Sequence, residues 1–147
     1  MKKLYLDVCT LCRPFDNQNN MRIRLKTDAY YLILNGIQRN IYEMLISSMH
    51  FKEIDSIEDI REKIQVVHLW DVYGKEPNYD YQKARKRADE LILINFGIAD
   101  SVHLAFAEQS ADYLITCDDK FLKRSKKTKI ETEVLSPIEF CIKEELK

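Results

Sequence analysis

Tyr113-Leu114-Ile115-Thr116-Cys117-Asp118-Asp119-Lys120-Phe121 opens with four residues suited to a buried strand and runs straight into two adjacent acids. Aromatic and β-branched residues favour a pleated, packed surface, and the polar residues after Thr116 end the run. A helix is expected from Asp118 to Arg124. The same unit stands at the start of the chain, where the short apolar strand Leu4-Tyr5-Leu6 is followed at once by Asp7. In a parallel sheet such strand ends share one edge, so acids that follow different strands gather there.

The stretches between these two units alternate in the same way. Apolar positions Ile23, Ala29, Tyr30, Ile33, Leu34 and Ile37 keep a helical period, and the helix is expected to end at Gly36. Tyr42 to Ser47 is a strand candidate, with Ser47-Ser48 placed to cap the helix that follows. One or two short helices are expected across Glu53 to Glu62, then a brief strand over Gln65 to Trp70. Asn78 or Asp80 can cap an amphipathic helix through Tyr81, Ala84, Ala88 and Leu91 that stops near Gly97. Ile98 to Ala107 is an alanine-rich helix, and Ile130 to Leu135 is a last strand before Pro137. Strands alternating with helices predict a three-layer α/β/α domain with a central parallel sheet, spanning residues 1–147 as one unit.

Bulk composition excludes several classes. With 147 residues, 46% apolar and 32% charged, the chain suits one soluble domain with a real core. No apolar run reaches the ~18 residues of a membrane helix, and Met1-Lys2-Lys3-Leu4 lacks a signal-peptide core, so a cytoplasmic location is expected. The net charge of −1 hides a polar distribution. Six of the ten residues from Lys120 to Lys129 are Lys or Arg, while Glu53 to Glu62 carries five carboxylates and one Arg. That contrast suits a phosphate-tracking rim beside an acidic centre, although solvated helix faces would explain either run alone. Cys9 and Cys12 have C-x-x-C spacing without a second pair, and are read as reduced, partly buried thiols.

The acids carry the chemistry. Asp7 follows the first strand, Asp118 and Asp119 follow Thr116, Asp100 begins a helix after Gly97, and Glu53 lies on the helix after the second strand. A lone strand-end Asp is usually a helix cap, but convergent carboxylates repel each other unless a cation neutralises them. Oxygen ligands with few sulfurs or imidazoles favour Mg²⁺ or Mn²⁺, which would activate water for phosphodiester hydrolysis. There is no GxxxxGK[ST], GxGxxG or GxSxG sequence, so nucleotide cradles and a serine elbow are absent.

At this point the residues resemble a known family. Leu6-Asp7-Val8-Cys9-Thr10-Leu11 resembles the opening Asp motif of PIN domains, and Arg13-Pro14-Phe15-Asp16 continues it. Ile98-Ala99-Asp100-Ser101-Val102-His103-Leu104-Ala105 resembles the family's Ala-Asp helix start. Thr116-Cys117-Asp118 with Phe121 looks like its Thr-x-Asp strand end, and Val134-Leu135-Ser136-Pro137-Ile138-Glu139-Phe140 like its closing strand. The resemblance implies a PIN fold, a Mg²⁺- or Mn²⁺-dependent ribonuclease and, for many small members, the toxin of a toxin–antitoxin pair of the VapC type. On it, Asp7, Asp100 and Asp118 match the metal-binding acids and Glu53, with them, the catalytic cluster. Glu43 or Asp55 competes with Glu53, and Asp119 with Asp118, although phase after Thr116 favours Asp118. Cys9 departs from the hydroxyl residue often found there, with Thr10 next to it.

Arg13 and Lys120 flank the proposed centre as candidate RNA contacts. His103, three residues after Asp100, is read first as a hydrogen-bonded packing histidine rather than a ligand. Tyr30, Tyr31, Tyr79 and Tyr81 are read as helix packing or a dimer surface before base stacking, and a homodimer is expected. An RNA substrate and an antitoxin protein are the partners this reading implies. A catalytically silent binding module and a small-molecule phosphohydrolase are the alternatives.

Overall fold

Successive side chains of a strand point to opposite faces, and the first strand shows both faces buried. The computed structural model describes residues 1–147. In β1 (Lys2–Leu6), Leu4 and Leu6 enter one apolar cluster and Tyr5 enters another. The other strands are β2 (Tyr42–Leu45), β3 (Gly74–Lys75), β4 (Tyr113–Ile115) and β5 (Glu133–Leu135). They pair in parallel throughout, in the order β3-β2-β1-β4-β5. Leu6 stands opposite Ile115, so β1 and β4 end level with each other.

Helices cover both faces, giving three layers. On one side lie α1 (Val8–Cys12), α2 (Met21–Gln38), α4 (Ile60–Tyr73) and α8 (Pro137–Lys143), which bury Tyr30, Ile33, Trp70 and Phe140 against Leu4, Leu6, Met44 and Ile115. On the other lie α5 (Tyr81–Leu93), α6 (Ile98–Ser110) and α7 (Asp119–Lys126), which bury Leu91, Leu104 and Phe121 against Tyr5, Leu45, Leu114 and Val134. The remaining helix, α3 (Ser48–Ile54), starts at Ser47, whose side chain caps it by accepting from Met49 N–H. No helix is long and apolar enough to cross a membrane.

Leu114 is fully buried in the middle of β4. Leu114→Ala is expected to cost about 2–5 kcal/mol, since it removes apolar contacts and leaves a cavity the sheet cannot close. Urea unfolding checks this, and a midpoint close to wild type would mean that β4 does not pass through the core.

Three sequence expectations are corrected here. Gln65 to Trp70 is not a strand but the middle of α4, capped by Asp59. The Val66-Val67 pair suggested a strand, yet the buried positions are Val66 and Trp70, one helical turn apart. The edge strand that does form there is the two-residue β3. Gly36 does not end α2 but lies inside it, where a Cβ would come within 2.6 Å of the Tyr42 ring. Chain reversal occurs at Asn40, which adopts a positive φ of 59°. Likewise α5 stops at Leu93 rather than near Gly97, and Asn95 turns the chain with φ 74°.

Candidate active site

The order β3-β2-β1-β4-β5 reverses direction between β1 and β4. Loops after those two strands diverge to opposite faces and leave a crevice at their carboxyl ends. Asp7 follows β1 directly and donates its backbone N–H to Ile115 O of β4 (3.2 Å). Asp118 follows β4 and caps α7. The two aspartates therefore stand on either side of the switch point.

Local hydrogen bonds hold each carboxylate by one oxygen. Asp7 is buried, and its Oδ1 accepts from Thr10 N–H (3.0 Å), the Thr10 hydroxyl (2.8 Å) and the Cys9 thiol (3.1 Å). Thr10 thus supplies the hydroxyl that the Cys9 position lacks. Cys9 is exposed as a residue, but desolvation of its thiol and then the Asp7 charge push it up, so it stays a protonated donor. Asp118 Oδ1 accepts from Lys120 N–H (2.9 Å) and Phe121 N–H (3.2 Å). The second oxygen of Asp7 and of Asp118 takes no hydrogen bond from the protein.

Asp100 lies in the first turn of α6. Burial pushes its carboxyl up to about 6, and the charges of Asp118 and Asp7 push in the same direction; His103 lowers it and Glu53 raises it further. These acids act on each other across one crevice, and no Lys or Arg pairs with Asp7, Asp100 or Asp118. Asp119, by contrast, is turned away to Arg22 (2.9 Å) and Lys26 (3.8 Å). Glu43 faces Lys75 on the sheet edge (3.5 Å), and Asp55 faces Lys63 (3.4 Å). Glu53 alone of those three acts on Asp100, and its Oε1 pairs with His103 Nε2.

The donor chemistry suits a hard cation: carboxylate oxygens, partly dehydrated, with mutual repulsion and free lone pairs. The side chains do not form a closed cage, since no group of three or more His, Cys, Asp or Glu is close enough to hold a metal ion.

The predicted cations lie on the flanks. Arg13 is partly buried and donates to Asp16 (3.1 Å). Lys120 is exposed on the first turn of α7 and lines a groove of about 630 Å³ with Lys123, Arg124, Lys127 and Lys129. None of those five has an acidic partner, whereas Lys126 pairs with Glu139. All four cysteines are free thiols. Sequence reasoning missed Lys26, whose mostly covered side chain donates to Cys117 O (3.2 Å) beside Asp119. It also missed Tyr5 and Ser47, whose hydroxyls join the His103 network. A tyrosine between two leucines reads as core, so only the need to satisfy a buried hydroxyl pointed to more.

A five-stranded parallel sheet in this order with helices on both faces makes a three-layer α/β/α fold of the PIN-like kind. Solved structures bear this out at nearly full length. The VapBC2 structure from Rickettsia felis, bound to a DNA fragment from their promoter, contains a chain that superposes with a TM-score of 0.57 at 15% identity, covering 90% of this chain and 98% of that one. FitAcB from Neisseria gonorrhoeae gives 0.52 at 14% identity, with 92% and 98% covered. FitAB bound to the IR36 DNA fragment gives 0.51 at 15% identity, with 91% and 94% covered. No family model and no curated protein matches the sequence. Likeness at this identity establishes the fold.

Proposed function

We propose that this protein is a Mg²⁺- or Mn²⁺-dependent endoribonuclease, the toxin member of a toxin–antitoxin pair. The observation that carries the reading is the crevice between β1 and β4, where Asp7, Asp100 and Asp118 have no cationic partner and Asp100 is pushed up by burial first and then by the charges of the other two. Asp7, Asp100 and Asp118 would hold the metal, and Glu53 completes the acidic cluster. The bound metal would supply an activated water and shield charge developing on the phosphodiester. Thr10 and Cys9 hold Asp7 by Oδ1 and leave Oδ2 for the crevice. Lys120 and the cations behind it draw the RNA backbone along α7 toward Asp118, the effect being electrostatic and weakened by salt.

An antitoxin partner fits the apolar cleft between α2 and α4. Leu11, Phe15, Tyr31, Leu34, Ile64 and Leu69 are among its lining, and Phe15, Tyr31 and Ile64 are exposed. Apolar area of this kind on a small domain marks a surface that another chain covers.

Adding Mn²⁺ to metal-free protein is expected to raise the melting temperature, with about 2.7 kcal/mol of stabilisation at a hundredfold excess over Kd. The same metal should support release of fragments from a generic RNA, and EDTA should stop it. A melting temperature indifferent to millimolar metal would count against the site. Phosphate release from a simple monoester, without RNA cleavage, would replace the ribonuclease by a small-molecule phosphohydrolase.

A further inference from the structure

We propose that His103 is a positioning residue that holds Glu53 at the acidic crevice, and that Tyr5 fixes the imidazole in the tautomer this requires. His103 and Tyr5 are both buried, at 2% and 0% exposure. His103 Nε2 meets Glu53 Oε1, and Nδ1 lies 2.5 Å from the Tyr5 hydroxyl. Tyr5 in turn lies 2.7 Å from Ser47 Oγ.

The direction of each hydrogen bond follows from the serine. Nearby His50 already accepts Ser47 N–H at Nδ1 (3.0 Å) and donates from Nε2 to Leu6 O (2.7 Å). It is neutral, as burial pushes it down to about 3. With the His50 lone pair occupied and 3.4 Å away, the Ser47 proton goes to Tyr5 at 2.7 Å. Tyr5 must then give its own proton to His103 Nδ1, which leaves the imidazole proton on Nε2. A carboxylate oxygen only accepts, so that proton is the one Glu53 takes. Fixing one ring nitrogen through the other is how outer groups set a histidine's tautomer and orientation.

The network also ties the crevice together. Tyr5 lies two residues before Asp7, His103 one turn after Asp100, and Ser47 caps the helix that carries Glu53. It joins β1, α6 and α3, which present three of the four acids. Glu53 is left with Oε2 unbonded, fixed in place instead of swinging on a flexible stem. The tautomer stands on these bonds alone, while the effect on cleavage rests on the nuclease reading.

Two measurements test this on the full chain. Long-range ¹H–¹⁵N spectra of metal-free protein with ¹⁵N-labelled histidine should show His103 as the pure Nε2–H form at pH ~7. Tyr5→Phe should convert it to a mixture. An Nδ1–H form or an imidazolium in the wild type would overturn the proposal. In the second, His103→Gln places an amide N–H where Nε2 was, and His103→Asn places one where Nδ1 was. With Mn²⁺, His103→Asn should lower kcat on RNA by about 10–100-fold at unchanged KM, while His103→Gln stays within a few-fold of wild type. His103→Asn should add nothing in a Glu53→Gln background. Equal losses for Asn and Gln, or additive losses with Glu53→Gln, would overturn it. If wild type cuts no RNA, the nuclease reading falls, and the tautomer is still decided by the spectra.

Discussion

Asp118→Asn is expected to lower Mn²⁺-supported RNA cleavage by roughly 10²–10³-fold or more, while Asp119→Asn leaves it within a few-fold of wild type. The contrast is sharp because the two residues are neighbours in sequence with different partners. Asp118 uses Oδ1 to cap α7, and asparagine caps a helix about as well as aspartate. The substitution therefore keeps the fold and removes only the charge that would face the metal. Asp119 is already neutralised by Arg22 and Lys26 at 2.9 and 3.8 Å. Its loss falls on that surface pairing, worth at most about 1 kcal/mol of stability. Single-turnover cleavage of a generic RNA, with circular dichroism to verify folding, decides the matter. A dead Asp119→Asn beside an active Asp118→Asn would reverse the assignment, and activity in both would remove the acidic-cluster mechanism.

Asp100→Asn should abolish cleavage and, in metal-free protein, raise stability at neutral pH. Burial and the neighbouring charges of Asp118 and Asp7 push the Asp100 carboxyl from 3.8 to about 6. The folded protein therefore holds this proton more tightly than the unfolded chain does. Its contribution to stability is fully present below about pH 4 and is lost as pH rises through 6. At pH ~7.5 the folded state carries the cost of the buried charge and of the repulsion in full, on the order of 2 kcal/mol after allowing for partial solvent screening. Asparagine removes it, and the melting temperature in EDTA should rise by ~4–8 °C. Melts of the two proteins between pH ~4.5 and ~8 should diverge as pH increases. Curves that stay parallel would show that Asp100 feels neither burial nor the other acids in the folded protein. With Mn²⁺ the order should reverse, since the wild type gains metal binding that the variant has lost.

The chain's local patterns were enough for the strand–helix alternation, the acids at the ends of β1 and β4, and caps narrowed to Ser47 or Ser48 and to Asn78 or Asp80, of which the structure uses Ser47 and Asp80. Each is a property of adjacent residues: the period of apolar positions, or an oxygen placed to accept an N–H within one turn. Signals also local but ambiguous misled in three places, two of them through packing. Val66-Val67 favours a strand by itself, yet packing Val66 and Trp70 on one face makes it helix. Gly36 looked like a helix end, but it gives the Tyr42 ring room to approach α2.

Tertiary structure alone decided what faces what. Strand order depends on contacts between residues more than a hundred positions apart, and only that order puts Leu6 beside Ile115 and hence Asp7 near Asp118. Glu53 was separated from Glu43 and Asp55 by the lysines that claimed the other two. Phase after Thr116 already favoured Asp118 over Asp119, and the fold adds the cations of α2 that pair with Asp119. The hydroxyl of Tyr5 found its partners across β1, α3 and α6. A sequence carries the acids and their phase because those are local, whereas partner choice among equivalent charges is settled by distances that exist only once the sheet has formed.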